Sequence, residues 1–169
     1  PMPCLPLQVK RGPIYLSIPE RVAIVIGHEV DVFRQMTQRP YALLIIVTPD
    51  FNLAATTAFI DPFRAANYLE GTTLFRWQVA SERGGMVPAS NGLAIDTVAW
   101  AEAEPADMVV VSSSWAPEQH STEPLRAYLR RAARVGAQMA ALDTGAFILA
   151  DAGLLVGRRA TVHYEHIDA

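Results

Sequence analysis

The chain has 169 residues, of which 51% are hydrophobic and 18% are charged. This length and composition suit one globular domain with a packed core and exclude a disordered chain. The formal net charge is -3, whereas protein surfaces that hold nucleic acid are basic. Any contact with DNA therefore needs another segment. No apolar run reaches the roughly 20 residues that span a bilayer. Cys4 is the single cysteine, so no intrachain disulfide can form, which fits a cytoplasmic protein.

Strands and helices alternate after an irregular start. The first 40 residues are rich in proline, and we interpret residues 1–40 as an N-terminal extension and 41–169 as the domain. Patterns of apolar residues predict strands at residues 41–47, 75–80, 108–111 and 138–142, helices at 53–69, 123–135 and 147–155, a hairpin within 86–93 and the start of one more strand at 159–162. Apolar strands that alternate with helices predict an α/β fold, in which a mainly parallel sheet is covered on both faces.

Three loops follow predicted strands, at residues 48–52, 112–117 and 143–146. In open parallel sheets, ligands bind beyond the carboxyl ends of the strands. We therefore expect these three loops to meet at one edge of the sheet and to hold any ligand site.

The most informative segment is Ala140–Ala150, where an apolar run meets a small polar residue and a helical pattern begins at once. Such a strand–bend–helix holds one side chain out at the bend, and enzymes place a nucleophile there. Here the bend carries Asp143, which is a poor nucleophile for acyl transfer and a good receptor for a cation. The alternative role for Asp143 is to cap the following helix, which is worth about 1 kcal/mol.

Aromatic and small polar residues of the other two loops are candidates to complete a site at Asp143. Aromatic rings beside a carboxylate can hold a quaternary ammonium group, although either ring could simply cover the end of the sheet. Serine hydroxyls and turn N–H groups could bind a ligand carboxylate, or they could form an ordinary turn. The candidate ligand-binding residues are Asp143, Thr144, Trp115, Phe51, Ser113 and Ser114.

Two other patterns are typical of different chemistry, and neither fits the rest of the chain. His163 and His166 have the spacing of a metal pair, but no third ligand is evident, so we predict no metal and no cofactor. The triplet Asp143–Gly145 spells the aspartic-protease motif. In those proteases the motif ends a strand of an all-β fold and two such aspartates share a proton, whereas here a helical pattern follows.

Many segments of this chain together resemble one known family. They are Leu43–Asn52, Asp61–Asn67, Phe75–Trp77, Gly84–Gly85, Ala89–Gly92, Thr144–Phe147, Ala152–Leu155 and Gly157–His163. They resemble the N-terminal domain of AraC-family transcriptional regulators of the GlxA type, within the class I glutamine-amidotransferase-like (PfpI/ThiJ-like) superfamily. The likeness covers about residues 41–166 and implies a flavodoxin-like three-layer sandwich, which we expect to be incomplete at its C-terminus.

The chain departs from that family's pattern at the bend. Asp143 stands where many members have cysteine, and Thr144 stands where hydrolytic members have histidine. His163 and Glu165 resemble the catalytic histidine and acid of related enzymes, without a cysteine to activate. An aspartate at the bend resembles the subgroup that senses glycine betaine or carnitine.

The resemblance implies a bacterial ligand-sensing domain that does no catalysis and binds a small cationic or zwitterionic effector. It also implies a homodimer that contacts DNA through a C-terminal helix-turn-helix domain absent from this chain, with no membrane partner. The alternative is a PfpI/ThiJ-like hydrolase or a glyoxalase-like enzyme.

Overall fold

The computed structural model describes residues 39–163. Most of the predicted N-terminal extension, with Cys4, lies outside the described residues, as do Glu165 and His166. In chain order the elements are β1 (Tyr41–Val47), α1 (Leu53–Glu70), β2 (Phe75–Ser81), β3 (Gly85–Pro88), β4 (Ala94–Ala99), β5 (Met108–Ser113), α2 (Pro117–His120), α3 (Glu123–Arg134), β6 (Gln138–Asp143) and α4 (Gly145–Asp151). No helix among them is long and apolar enough to cross a membrane.

The strands form one six-stranded sheet in the order β3-β4-β2-β1-β5-β6. All neighbours are parallel except β3 and β4, which form an antiparallel hairpin. Every residue of β1 and of β5 is buried. A continuous apolar run suits a central strand that is covered on both faces, so the mainly parallel α/β fold expected from the sequence is confirmed.

Alternate residues of β1 point into two separate cores. Leu43 and Ile45 pack on one face of the sheet with α1, which contributes Phe59. Leu44 and Ile46 pack on the other face with helices α3 and α4. The result is three layers, with helices on both sides of the sheet, because successive side chains of a strand point to opposite faces.

Several element boundaries differ from those predicted. Helix α1 continues through Pro62 without a break and ends at Gly71, whose φ of 64° provides the left-handed cap. The hairpin was predicted within residues 86–93 but extends to Ala99. Its second strand, β4, therefore lies after the predicted segment. Residues 159–162 form no strand, which corrects that prediction.

Differences near the carboxyl edge of the sheet matter more for the site. Strand β5 continues to Ser113, so Ser112 and Ser113 belong to the sheet and the loop begins at Ser114. The short helix α2 begins at Pro117, the last residue of the predicted loop, and continues through residues that were assigned to no element. Helix α4 begins at Gly145, two residues earlier than predicted, which makes the bend after β6 tighter.

Candidate functional site

The bend after β6 is a strained and closely packed turn. Asp143 has a φ of 56°, in the left-handed region that residues other than glycine seldom adopt. Helix α4 starts two residues later and lies against β5: a Cβ added to Gly145 would come within 2.2 Å of the carbonyl oxygen of Val111. The predicted strand–bend–helix with Asp143 at its turn is therefore present, and Gly145 is what allows the helix to approach.

The carboxylate of Asp143 is partly buried, and its two oxygens differ in their contacts. Its Oδ2 accepts hydrogen bonds from Asn52 Nδ2 at 3.0 Å and from Ser114 Oγ at 3.2 Å. No described residue donates to Oδ1, and no described lysine, arginine or histidine forms an ion pair with this carboxylate. The capping alternative is wrong in this structure, because Thr144 occupies the cap position of α4.

Asn52 is the site residue that the sequence interpretation missed. It is the N-cap of α1, and its Oδ1 accepts the N–H of Ala55 at 3.0 Å. That contact fixes the orientation of the amide, so Nδ2 points to Asp143. An asparagine directly before a predicted helix is a recognisable capping signal, but its contact with Asp143 depends on the folded sheet.

Thr144 and Ser113 hold the loops together and are buried. The hydroxyl of Thr144 donates to the carbonyl oxygen of Ser114 at 2.7 Å, and Ser113 Oγ accepts from Thr48 Oγ1 at 2.9 Å. Both residues are at most 1% exposed. Their side chains therefore stabilise the edge of the sheet from within, and of the three consecutive serines only Ser114 faces the bend.

The two aromatic candidates lie in contrasting environments. Phe51 is fully buried in the core beneath α1, so its ring covers the end of the sheet and offers no accessible face. Trp115 is 65% exposed and directly follows Ser114, the donor to Asp143. Of the two rings, only that of Trp115 is accessible to a ligand in this structure.

A cleft of about 270 Å³ opens beside the carboxyl ends of β1 and β2. Thr48 and His120 are among its lining residues, and Asp143 is not. Thr48 bonds to Ser113, which is the register partner of Asp143 in the β5–β6 pair. The cleft and the bend are thus separate features of the same edge of the sheet.

Metal-ligating residues do not cluster in the part of the chain that the structure describes. No group of three or more histidine, cysteine, aspartate or glutamate side chains there could hold an ion. His163 is described and engaged in contacts, but His166 lies outside the described residues. The expectation that the two form no metal site stays a prediction.

The sheet, its covering helices and the tight bend after β6 define a flavodoxin-like α/β fold. No protein-family profile matches the chain. Among solved structures, an AraC family transcriptional regulator from Pseudomonas putida superposes with a TM-score of 0.66 and 26% identity, over 76% of this chain and 69% of that one. A ThiJ/PfpI domain protein from Brachyspira murdochii superposes with a TM-score of 0.57 and 16% identity, over 68% of this chain and 65% of that one, which supports the fold alone.

Sequence relatives identify the family. The chain is 38% identical to the HTH-type transcriptional regulator CdhR of Pseudomonas aeruginosa, over 73% of this chain and 37% of that protein. It is 34% identical to the regulator GbdR of the same species (78% and 36%) and 33% identical to the regulator GlxA of Rhizobium meliloti (73% and 39%). The chain belongs to the GlxA-type AraC-family regulators, and its fold is that of ThiJ/PfpI domain proteins. It spans less than two fifths of the length of these relatives.

Proposed function

We propose that this chain is the effector-sensing domain of a bacterial AraC-family transcriptional regulator of the GlxA type. It binds a small cationic or zwitterionic metabolite, of the betaine, carnitine or arginine kind, and catalyses no reaction. Residues 41–169 form the sensing domain, residues 1–40 are an extension, and a helix-turn-helix domain outside this chain contacts DNA. The protein works in the cytoplasm as a homodimer and needs no cofactor or metal.

The observation that carries this proposal is the unpaired Oδ1 of Asp143. The carboxylate is partly buried, receives hydrogen bonds on Oδ2 alone and has no cationic partner among residues 39–163. Partial burial of an unpaired charge carries a desolvation cost, and because Oδ1 still reaches solvent a ligand can reach it too. A cationic ligand at Oδ1 would offset that cost, and a quaternary ammonium group suits it because it needs no hydrogen-bond acceptor.

Trp115 provides the second element of such a site. Its indole is 65% exposed and lies one residue from Ser114. Aromatic faces attract quaternary ammonium ions through the ring quadrupole, by about 0.5–2 kcal/mol depending on desolvation. An aspartate at the bend also resembles the betaine- and carnitine-sensing subgroup of the family, which agrees with this choice of ligand.

The surroundings of Asp143 support binding over catalysis. A nucleophile needs an adjacent base or a lowered pKa to react. Within residues 39–163, the side chains that hydrogen-bond to Asp143 are the amide of Asn52 and the hydroxyl of Ser114, and neither is a base. The same contacts suggest how binding would be transmitted, because Asn52 also begins helix α1. A ligand that prefers one arrangement of α1 would shift the population of dimer or interdomain states.

Calorimetry tests the proposal directly. The 169-residue chain is titrated with glycine betaine, carnitine, arginine and choline, and then the Asp143→Asn variant is titrated in the same way. Asparagine keeps the size of the side chain and tolerates the left-handed backbone. We expect at least one compound to bind to the wild type and its affinity to fall at least about tenfold in the variant, which corresponds to about 1.4 kcal/mol.

Asp50→Asn is the matched control. Asp50 also has a left-handed backbone, with a φ of 58°, and it loses the same single charge, but no side chain from residues 39 to 163 bonds to it. Binding to Asp50→Asn should match the wild type. Equal losses in the two variants, no binding of any compound to the wild type, or turnover of an ester, an amide or a glyoxal by the wild type would each contradict the proposal.

A further inference from the structure

We propose that the cleft beside the carboxyl ends of β1 and β2 is a second ligand site, which takes a small organic carboxylate with a compact apolar body. The cleft has a volume of about 270 Å³. Asp143 does not line the cleft. The lining includes Arg83 and His120, whereas the bend carries a carboxylate. This site is therefore independent of the cation site proposed above.

The inner lining of the cleft is largely apolar, although the buried Thr48 and Ser81 also line it. It includes Val47, Val87 and Leu125, each at most 6% exposed, and the half-buried ring of Trp100. Small-molecule sites in proteins are typically concave and mostly apolar, with a few polar groups that orient the ligand. The inner surface of this cleft can thus take the hydrocarbon part of a ligand out of water.

The rim carries an arginine without a partner. Arg83 lines the cleft and makes no hydrogen bond or ion pair with any residue from 39 to 163. By contrast, Arg39, Arg64 and Arg76 each pair with a carboxylate of this chain. A guanidinium presents a planar fork of N–H donors that matches a carboxylate in two parallel hydrogen bonds. His120, which also lines the cleft, adds an imidazole that can donate to the same group.

The backbone fixes the position of Arg83 at the rim. Ser81 Oγ accepts the N–H of Gly84 at 3.1 Å, and the carbonyl oxygen of Ser81 accepts the N–H of Trp100 at 2.9 Å. A Cβ at Gly84 would lie 2.9 Å from the backbone nitrogen of Ala99, so this turn is packed directly against the end of β4. The turn therefore holds Arg83 at the cleft, although its side chain is exposed.

Glu82 lies beside Arg83 in the same turn and also lines the cleft. Its carboxylate opposes an anionic ligand by like-charge repulsion, so the two neighbours act in opposite directions. This opposition gives a sharp test, because a general effect of disturbing the turn would change binding in the same direction for both residues.

The probe is 3,3-dimethylbutanoate, which has a tert-butyl body and a carboxylate but no cationic group. Binding to the 169-residue chain is measured by calorimetry and by NMR line broadening. We expect the wild type to bind this carboxylate. Arg83→Gln should lower the affinity for it at least about tenfold, because a charged hydrogen-bonded pair is lost. Glu82→Gln should raise that affinity. Arg134→Gln, a change at an exposed arginine of α3, should leave binding unchanged.

A separate titration distinguishes this site from the cation site. Asp143→Asn should bind 3,3-dimethylbutanoate as the wild type does, whereas Arg83→Gln should bind choline as the wild type does. The inference is overturned if the wild type does not bind 3,3-dimethylbutanoate, if Arg83→Gln and Arg134→Gln weaken it equally, if Glu82→Gln weakens it, or if Asp143→Asn abolishes its binding. Failure of glycine betaine, carnitine, arginine and choline alike to bind would contradict only the cation site at Asp143.

Discussion

Asn52 and Asp143 are joined by a hydrogen bond of 3.0 Å, from the amide nitrogen of one to the carboxylate of the other, across 91 positions of the chain. The amide oxygen of Asn52 meanwhile accepts the N–H of Ala55 in the first turn of α1. One side chain therefore holds the start of α1 and the bend after β6 together. Any ligand that changes the position of the Asp143 carboxylate would act on helix α1 through this contact.

The two roles of Asn52 can be separated by substitution. Asn52→Ser keeps an N-cap oxygen but removes the amide that reaches Asp143, so the free energy of unfolding should change little while affinity for glycine betaine changes. Asn52→Ala removes both contacts and should lose about 1–2 kcal/mol of stability as well. Urea unfolding and calorimetry on the same samples check this. Equal stability of the two variants would contradict the capping role.

Ser113 and Ser114 are neighbours with different expected roles. Ser113→Ala leaves the buried hydroxyl of Thr48 without its partner and should cost about 1–3 kcal/mol of stability. Ser114→Ala removes a donor to Asp143 near the surface and should change ligand affinity more than stability. Urea unfolding and betaine titration of both variants measure the contrast. If Ser113→Ala lowers affinity and leaves the unfolding free energy unchanged, the assignment of roles is reversed.

Gly145 should tolerate no side chain. Its Cβ would come within 2.2 Å of the Val111 carbonyl oxygen, which is backbone in a central strand and cannot move aside. We expect Gly145→Ala to lower the free energy of unfolding by about 3 kcal/mol or more. Gly153→Ala is the control, because that site has open space and a φ of 76°, so it should cost only about 1–2 kcal/mol of backbone strain. Comparable losses in urea unfolding would show that α4 is less closely packed than described.

Asp107 should make stability depend on pH on the acid side. Burial raises the pKa of its carboxyl, but hydrogen bonds from Arg39 and from the N–H of Ala42 outweigh that effect, so the pKa lies below its ordinary value. A carboxyl whose pKa is lower in the folded state than in the unfolded state stabilises the fold. This contribution is fully present at any pH above the unfolded-state pKa. That stability is lost as the pH falls through the folded-state value, below about pH 4.

Asp107→Asn should therefore lower the free energy of unfolding by about 1–3 kcal/mol at pH 7 and flatten its decline in acid. The N–H of Ala42, at 2.8 Å from the carboxylate, keeps only a weaker acceptor in this variant. Asp61→Asn is the control, because its ion pair with Arg64 is exposed and should contribute little. Urea unfolding at pH 3 to 7 distinguishes the two. Identical pH profiles for Asp107→Asn and the wild type would contradict the role of this carboxylate.

Local patterns were enough to predict the sheet and the bend. The continuous apolar run of β1 predicted a strand buried on both faces, and the helical pattern over residues 53–69 predicted α1 to within one residue. The change from an apolar strand to a helical pattern around Asp143 predicted the tight turn. These predictions succeeded because each depends on neighbours within one or two turns of chain, where periodicity and backbone preference act directly.

Predictions about side chains at the edge of the sheet were less accurate. Ser113 was expected in a loop but lies in β5, because pairing with β6 continues to Asp143. Nothing local to Phe51 shows that its ring turns inward beneath α1, and Asn52 is separated from its partner by most of the fold. Burial and contact at these positions depend on how loops from different strands pack together.

The sequence by itself determined the class of fold and the presence of a carboxylate at the bend, because strand and helix periodicity and the residue at the turn are properties of adjacent residues. The family followed from the likeness of several segments to known regulators. Only the tertiary structure decided that one oxygen of Asp143 accepts no hydrogen bond from the described residues, that Trp115 is accessible while Phe51 is not, and that a separate cleft opens beside Arg83. These features arise where β1, β2, β5 and β6 end at one edge of a parallel sheet, which brings distant segments together.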